Sequence, residues 1–323
     1  MLDLTNPIYT DLESAREHLE RTQWPDGPIC PACGVINCAT KLRGQTTRPG
    51  LYKCRACEGH FTVTVGTVLE RSRIPLTKWI LAAHLLASSK KGFSAHQLHR
   101  TLGVTYKTAW FMAHRLREAM STLGAGPMLG GEGKIVEADE TYHGKVANPA
   151  TATTSGRKFT KGGSGAVNKR AIVSLVERGG SVRSFHVENA NKASVAAIVN
   201  ANINFESKLF TDESRLYAQT GQRFAEHATV KHAAKEYVRG EVHTNTIEGY
   251  FSIFKRGMTG VYQHCAEKHL HRYLAEFDFR YNNREALGIG DVQRALRLLG
   301  GAKGKRLVYR GITGVSELRL SDV

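Results

Sequence analysis

Two cysteine pairs of the form C-x2-C, Cys30-Pro31-Ala32-Cys33 and Cys54-Arg55-Ala56-Cys57, stand twenty residues apart and limit what the first part of this chain can become. In a reducing compartment the thiols stay unpaired, so two such knuckles read as four thiolates closing a tetrahedron around one structural Zn2+. A closed tetrahedron leaves no open position for catalysis. The flanking residues suit a small stapled unit, with short β-prone pieces at Leu51–Lys53 and Phe61–Val65 between glycines and turns. Cys38 reads as a surplus ligand or a small buried thiol, and Cys265 as a packing residue.

The chain opens Met1-Leu2-Asp3-Leu4, with no basic n-region or apolar core, and its longest apolar run, Trp79–Ala87, is broken by His84. That run is far short of the ~20 residues that span a bilayer. A cytoplasmic, nucleoid-associated protein with no membrane partner is expected. Forty-five Lys and Arg against twenty-nine Asp and Glu leave a formal charge of +16, a field suited to nucleic acid, although charge alone also fits a generically basic soluble protein.

The basic residues are not evenly spread. Residues 76–122 hold seven Lys and Arg (Lys78, Lys90, Lys91, Arg100, Lys107, Arg115, Arg117) against the single acid Glu118. This stretch has helical spacing: a first helix near Lys78–Ser89, a break at Gly92, then Ser94 and Gln97 as a capping box for a second. Gly103 makes a tight turn, and Thr105 opens a third helix. Two helices joined by a short Gly turn predict a helix-turn-helix. Its second helix would bring Tyr106, Lys107 and Thr108 to base edges and Arg115 and Arg117 to phosphates. A basic hairpin that merely packs is the alternative.

After a Gly-rich linker, Gly124–Gly133, strands are expected at Lys134–Ala138, Ala171–Val176, Ser181–Val187, up to Leu209-Phe210 and near Thr229-Val230. Helices are expected at Lys192–Asn200, Thr246–Arg256 and Lys268–Asn282, and a mobile loop at Lys145–Asn168. This order predicts a ribonuclease-H-like mixed α/β sheet. Asp139 and Asp212 each follow an apolar pair and are expected at or near strand ends. Glu248 begins a helix whose apolar stripe is Ile247, Phe251, Phe254 and Met258. Mg2+ prefers carboxylate oxygens, and a two-metal site about 4 Å across needs them to converge from separate elements. Lys255 returns to the face of Glu248 ~10 Å further along, where it would meet a phosphate.

These residues also carry a resemblance. Glu137-Ala138-Asp139-Glu140-Thr141-Tyr142, Phe210-Thr211-Asp212-Glu213-Ser214 and His243-Thr244-Asn245-Thr246-Ile247-Glu248-Gly249-Tyr250-Phe251, with Lys255-Arg256-Gly257, resemble the DDE transposases of bacterial insertion sequences. The group they most resemble is the ISXO-like one, with its N-terminal zinc ribbon. Thirty-five residues separate Asp212 from Glu248, a spacing common in that class, and the likeness runs from about residue 25 to 290. It implies binding of element ends and a cut-and-join reaction at a triad of Asp139, Asp212 and Glu248. Members carry either Glu or Asn as the third ligand; Asn245 stands one turn before Glu248, and the anionic Glu248 is preferred. Two catalytic Mg2+ (Mn2+ substituting), one structural Zn2+, and a homo-oligomer on double-stranded DNA, both element ends and target, complete the expectation. A catalytically inactive DNA-binding regulator and a ribonuclease-H-like nuclease or resolvase are the rival readings.

The expected layout is thus an α+β multidomain chain. It comprises an N-terminal helix over 1–24, a zinc ribbon over 25–70, a helix-turn-helix region over 71–123, a catalytic domain over 130–290 and a C-terminal tail over 291–323.

Overall fold

The computed structural model describes residues 3–121, 126–151, 167–230 and 238–308, and these form two compact units. The first takes in the described residues up to 88, residues 95–120 and those from 291 onward; the second takes in 89–94 and 121–290.

In the first unit Asp11 accepts the amide of Ser14 at 2.7 Å and so caps α1 (Leu12–Gln23). The ribbon that follows is a three-stranded antiparallel sheet, β1 (Ala39–Lys41), β2 (Tyr52–Cys54) and β3 (His60–Phe61), in that order. Its apolar content is slight: Tyr52, Phe61, Cys30 and Cys54 are buried against Trp24 and Ala39. Then come α2 (Leu76–Ser88), α3 (Ala95–Leu102) and α4 (Tyr106–Met120). Helix α3 starts directly after Ser94, where the capping pattern put it. Gly103 takes φ +58° in the three-residue link to α4, a conformation that costs glycine nothing. Thr105 accepts the Thr108 amide at 3.2 Å and opens α4. Residues expected as a tail begin with a helix, α9 (Asp291–Gly300), which packs on α2; Arg294 donates to the Ala87 carbonyl at 3.1 Å, and Leu298 and Leu299 are buried. Residues 309–323 of the expected tail lie outside the described residues.

The second unit is built on a five-stranded mixed sheet in the order β6-β5-β4-β7-β8. Strands β4 (Ile135–Lys145), β5 (Lys169–Glu177) and β6 (Val182–Val187) run antiparallel, while β7 (Lys208–Asp212) and β8 (Glu226–Val230) add in parallel beside β4. Helix α5 (Lys192–Asn202) and the short α6 (Ala218–Gly221) accompany these strands, and a small hairpin, β9 (Val238–Arg239) with β10 (Val242–His243), leads into α7 (Asn245–Gly257). Helix α8 (Leu270–Asn282) closes the unit. Alternation along the strands feeds two cores. Val136, Ala138, Val173, Leu175 and Leu209 pack with Val195 and Val199 of α5, while Ile172, Val176 and Val182 pack with Ile247, Phe254, Leu274 and Phe277. A polar chain crosses the second core: Asp278 accepts the Ser184 amide and hydroxyl, each at 2.8 Å, and the Tyr250 hydroxyl at 2.5 Å.

Three expectations change. Strand β4 continues to Lys145, so Asp139 lies inside a strand and not at its end; pairing with β5 on one side carries the chain past the point where apolar residues stop. The β-prone run Phe61–Val65 is strand only at His60–Phe61. Part of the Gly-rich linker is ordered, since Leu129 is buried and its backbone bonds with Asn202 and Asn204. Most of the expected mobile loop, residues 152–166, lies outside the described residues.

Candidate metal centre and active site

The four knuckle sulfurs meet. The Sγ atoms of Cys30 and Cys57 lie 3.6 Å apart and those of Cys33 and Cys54 3.7 Å, and all four fall within 4.8 Å of one another. A tetrahedron with Zn–S bonds of about 2.3 Å has edges of roughly 3.8 Å, so the set fits zinc. Backbone amides complete it: Cys30 accepts from Ala32 and Cys33, Cys33 from Val35, and Cys57 from Gly59. Such N–H groups stabilise thiolate charge. Cys38 is not in the set, and Cys265 packs beside the α7–α8 core.

Asp139, Asp212 and Glu248 neighbour one another on the α7 face of the second sheet, but among the described residues only the four sulfurs close into a ligand-tight group. Ile135 pairs with Lys208 and Glu137 with Phe210 in the parallel β4–β7 ladder. Carrying that register two residues on sets Asp139 level with Asp212 on the neighbouring strand, both on the face of Glu137. Asp212 ends β7, where its Oδ1 accepts the amide of Ser214 at 3.0 Å. Glu248 lies in the first turn of α7, and the buried Thr244 donates its hydroxyl to Glu248 Oε1 at 3.0 Å. Burial pushes the Asp139 carboxyl up to about 8, with Asp212, Glu140 and Glu248 adding repulsion in that order. Crowding of acids of this kind is the donor chemistry that a divalent ion relieves. Asn245, the alternative third ligand, is exposed at the start of α7.

Lys255 is exposed near the far end of α7, its Nζ 6.0 Å from the Phe251 ring centre. It lies close enough to His143 of β4 that, after burial and Arg170, it helps hold that imidazole below its ordinary range. Helix α7 therefore runs along β4 in the same direction.

Sequence reasoning passed over several of these groups. Glu140, on the opposite sheet face from Asp139, accepts from the buried Tyr217 hydroxyl at 3.0 Å, and burial followed by Asp212 raises its carboxyl. Glu137 is wholly buried beneath the start of α7. Acids set among the apolar Ile135, Val136 and Ala138 at the start of the strand were the available signal. Thr244 and Arg178 carried none, being ordinary polar residues in ordinary loops.

In the first unit Tyr106 is exposed and stacks on His96, ring centres 4.3 Å apart and planes at 28°. Lys107 is exposed beside it and Thr108 half-buried. Arg115 and Arg117 do not face outward as expected. Arg117 is 2% exposed, and Arg115 is buried over the Phe111 ring and donates to the carbonyls of Glu70 and Leu307 at 3.1 and 3.2 Å. A buried guanidinium engaged with backbone carbonyls does not reach a phosphate. No helix among the described residues is long and apolar enough to cross a membrane.

Comparison with known proteins matches residues 128–282 to the ISXO2-like transposase domain and residues 11–60 to the transposase zinc-ribbon domain. A protein of Halobacterium salinarum, described as an uncharacterized protein in transposable element ISH50, is 29% identical over 297 residues, covering 87% of this chain and 97% of the relative. Among solved structures, a pre-cleavage Mos1 transpososome and the Mos1 mariner paired end complex with Mn each align over 60% of this chain and 73% of theirs. Both are 12% identical with a TM-score of 0.21, too low to define a common fold.

Proposed function

We propose that this chain, which belongs to the ISXO2-like transposases and carries a transposase zinc ribbon, cuts DNA at the ends of its element and joins those ends to target DNA at Asp139, Asp212 and Glu248. The observation that carries the reading is the convergence of three carboxylates from two adjacent parallel strands and one helix, close enough that Asp212 and Glu248 both oppose ionisation of Asp139. The sheet order, three antiparallel strands followed by two parallel ones, supports a ribonuclease-H-like catalytic domain.

Bound by these carboxylates, Mg2+ or Mn2+ would supply Lewis-acid activation of the attacking oxygen and offset charge on the phosphoryl group. The chain's own residues orient and hold. Asp139 and Asp212 present oxygens from strands that cannot shift against each other without breaking the ladder. Thr244 fixes one Glu248 oxygen, which favours Glu248 over Asn245 as the third ligand. Lys255, on the same helix, gives a cation for the phosphates of the strand being cut. The overall change is hydrolysis of one phosphodiester at the element end, freeing a 3′-hydroxyl, followed by exchange of that hydroxyl for the bridging oxygen of a target phosphodiester.

End binding is assigned to the first unit, with α3 and α4 as a helix-turn-helix. The exposed Tyr106 and Lys107 and the neighbouring Thr108 at the start of α4 support it. Arg115 and Arg117 are left out of the contact set because both are buried.

The test is cleavage and strand transfer of an end-bearing oligonucleotide. Asp139→Asn, Asp212→Asn and Glu248→Gln should bind it as the parent does yet lose roughly 10²- to 10³-fold in rate. Asn245→Ala should keep strand transfer. Full activity in Asp212→Asn would sink the proposal, and an inactive Asn245→Ala beside an active Glu248→Gln would move the third ligand by one turn.

A further inference from the structure

Glu137 sits two residues before Asp139 on the same face of β4, and its side chain is 0% exposed. A buried carboxylate needs a full set of donors or it is costly. Glu137 has them, and most come from one place. Its Oε2 accepts the backbone amides of Thr246 and Ile247 at 2.9 and 3.0 Å, and its Oε1 accepts the Thr246 hydroxyl at 2.8 Å. Those amides belong to the first turn of α7, where helix N–H groups have no partner within the helix. Thr244, at the N-cap position, makes no side-chain cap bond and instead spends its hydroxyl on Glu248. The cap of α7 is thus supplied from the strand that carries Asp139.

Arg178 closes the arrangement from the other side. Its Nε donates to Glu137 Oε1 at 2.6 Å, and its terminal nitrogens reach the carbonyls of Glu241 and His243 at 2.8 and 2.9 Å. The last strand of the hairpin that leads into α7 and the first turn of α7 are therefore held to the same carboxylate. Ile247, whose amide Glu137 holds, is the immediate neighbour of Glu248.

We propose that Glu137 is a positioning residue for the catalytic centre: by capping α7 from strand β4 it sets the height and rotation of the helix, and so where the Glu248 oxygen stands relative to Asp139. This rests on the carboxylate-triad reading and deepens it. Strand β4 supplies one ligand directly and the placement of another through Glu137. An ordinary buried ion pair would explain the stability of the link but would give no reason for the divalent-ion requirement to depend on it. Groups that orient metal ligands are worth roughly 10- to 100-fold in metal affinity or activity.

The experiment uses the full chain with Glu137→Gln, which is isosteric, and Thr246→Val, which removes only the Thr246 hydroxyl bond and leaves Glu137 its charge and its amide partners. Four quantities are read: Mn2+ affinity from the spectroscopic signal of free Mn2+, hydrogen exchange over residues 244–251, and the binding and the cleavage of an end-bearing oligonucleotide. Glu137→Gln should weaken Mn2+ binding roughly 10- to 100-fold. It should also speed exchange at Thr246 and Ile247 and leave oligonucleotide affinity within about twofold, with Thr246→Val changing in the same sense by less. Unchanged Mn2+ affinity, or unchanged exchange at the start of α7, in whichever variant folds would overturn the positioning role while leaving the triad intact. Asp212→Asn, run alongside, separates the two readings: it should lose cleavage with the α7 amides still protected. Full cleavage by Asp212→Asn would overturn the triad and the positioning role with it.

Discussion

Replacing Cys57 by serine should unfold the ribbon and spare the second unit, and the structure makes this substitution unusually clean. Cys57 is exposed, so the change removes no buried side chain, whereas Cys54 is 0% exposed and its loss would confound packing with metal binding. Without zinc, residues 25–61 depend on a core of three aromatic rings, Trp24, Tyr52 and Phe61, with centres 5.3 to 5.8 Å apart. Fully burying such a ring contributes about 2–3 kcal/mol, and Trp24 is only half-buried, so the three supply at most roughly 6–9 kcal/mol. A structural zinc contributes about 10–16 kcal/mol, and for a set that closes only on folding this is folding free energy. The metal outweighs the core. Loss of one thiolate should therefore release the strands β1 to β3, while α1, buried through Ala15 and Leu19, keeps its structure. The assay is zinc content by elemental analysis together with hydrogen exchange, comparing peptides from 25–61 with those from 130–290. The parent should carry about one zinc per chain. Full protection of 25–61 in Cys57→Ser, or protein purified without chelators that carries no zinc, would refute the reasoning.

Arg117→Ala should lower the melting temperature by several degrees, because a buried side chain that is 2% exposed is removed, and should leave the salt slope of DNA binding unchanged. Lys107→Ala should do the reverse, with stability kept and the slope of log affinity against log salt reduced by about one; equal slopes in both variants would refute the division of roles. Asp278 gives a pH prediction. Burial pushes its carboxyl up to about 7, above its unfolded value of 3.8, so the protonated form is favoured in the fold. Its contribution is complete below about pH 4 and is lost as pH rises through about 7. The stability of the parent relative to Asp278→Asn should fall by up to a few kcal/mol between pH 4 and pH 8, as read by denaturant unfolding, and a flat or rising difference would show the assignment to be wrong.

The features legible in the sequence are those whose geometry is local. A C-x2-C knuckle spans less than one helical turn, so its spacing specifies a metal corner wherever the rest of the chain lies, and the four sulfurs do meet. The helices α2, α5, α7 and α8 lie within a few residues of where their apolar periodicity places them, as do the strands β5, β6 and β7, because period and turn residues report on neighbours a few positions away. The acids Asp139, Asp212 and Glu248 were singled out the same way, from their positions against apolar runs and from motif resemblance.

Which side chains face water and which hold others in place was decided by contacts between residues far apart in the chain. Arg115 looks like a phosphate contact on a basic helix and becomes a buried donor only because the carbonyls of Glu70 and Leu307 arrive beside it from either end of the sequence. The segment from Asp291 reads as a tail until α2, some two hundred residues earlier, offers its surface to α9. Asp139 falls inside its strand because β5 extends the ladder beyond the apolar run. Glu137 shows the division most plainly: from sequence it is one more acid beside a candidate ligand, and only when α7 is laid against β4 do the amides of Thr246 and Ile247 converge on it. Burial and hydrogen-bond satisfaction are sums over neighbours in space, and periodicity along the chain does not report which neighbours those will be.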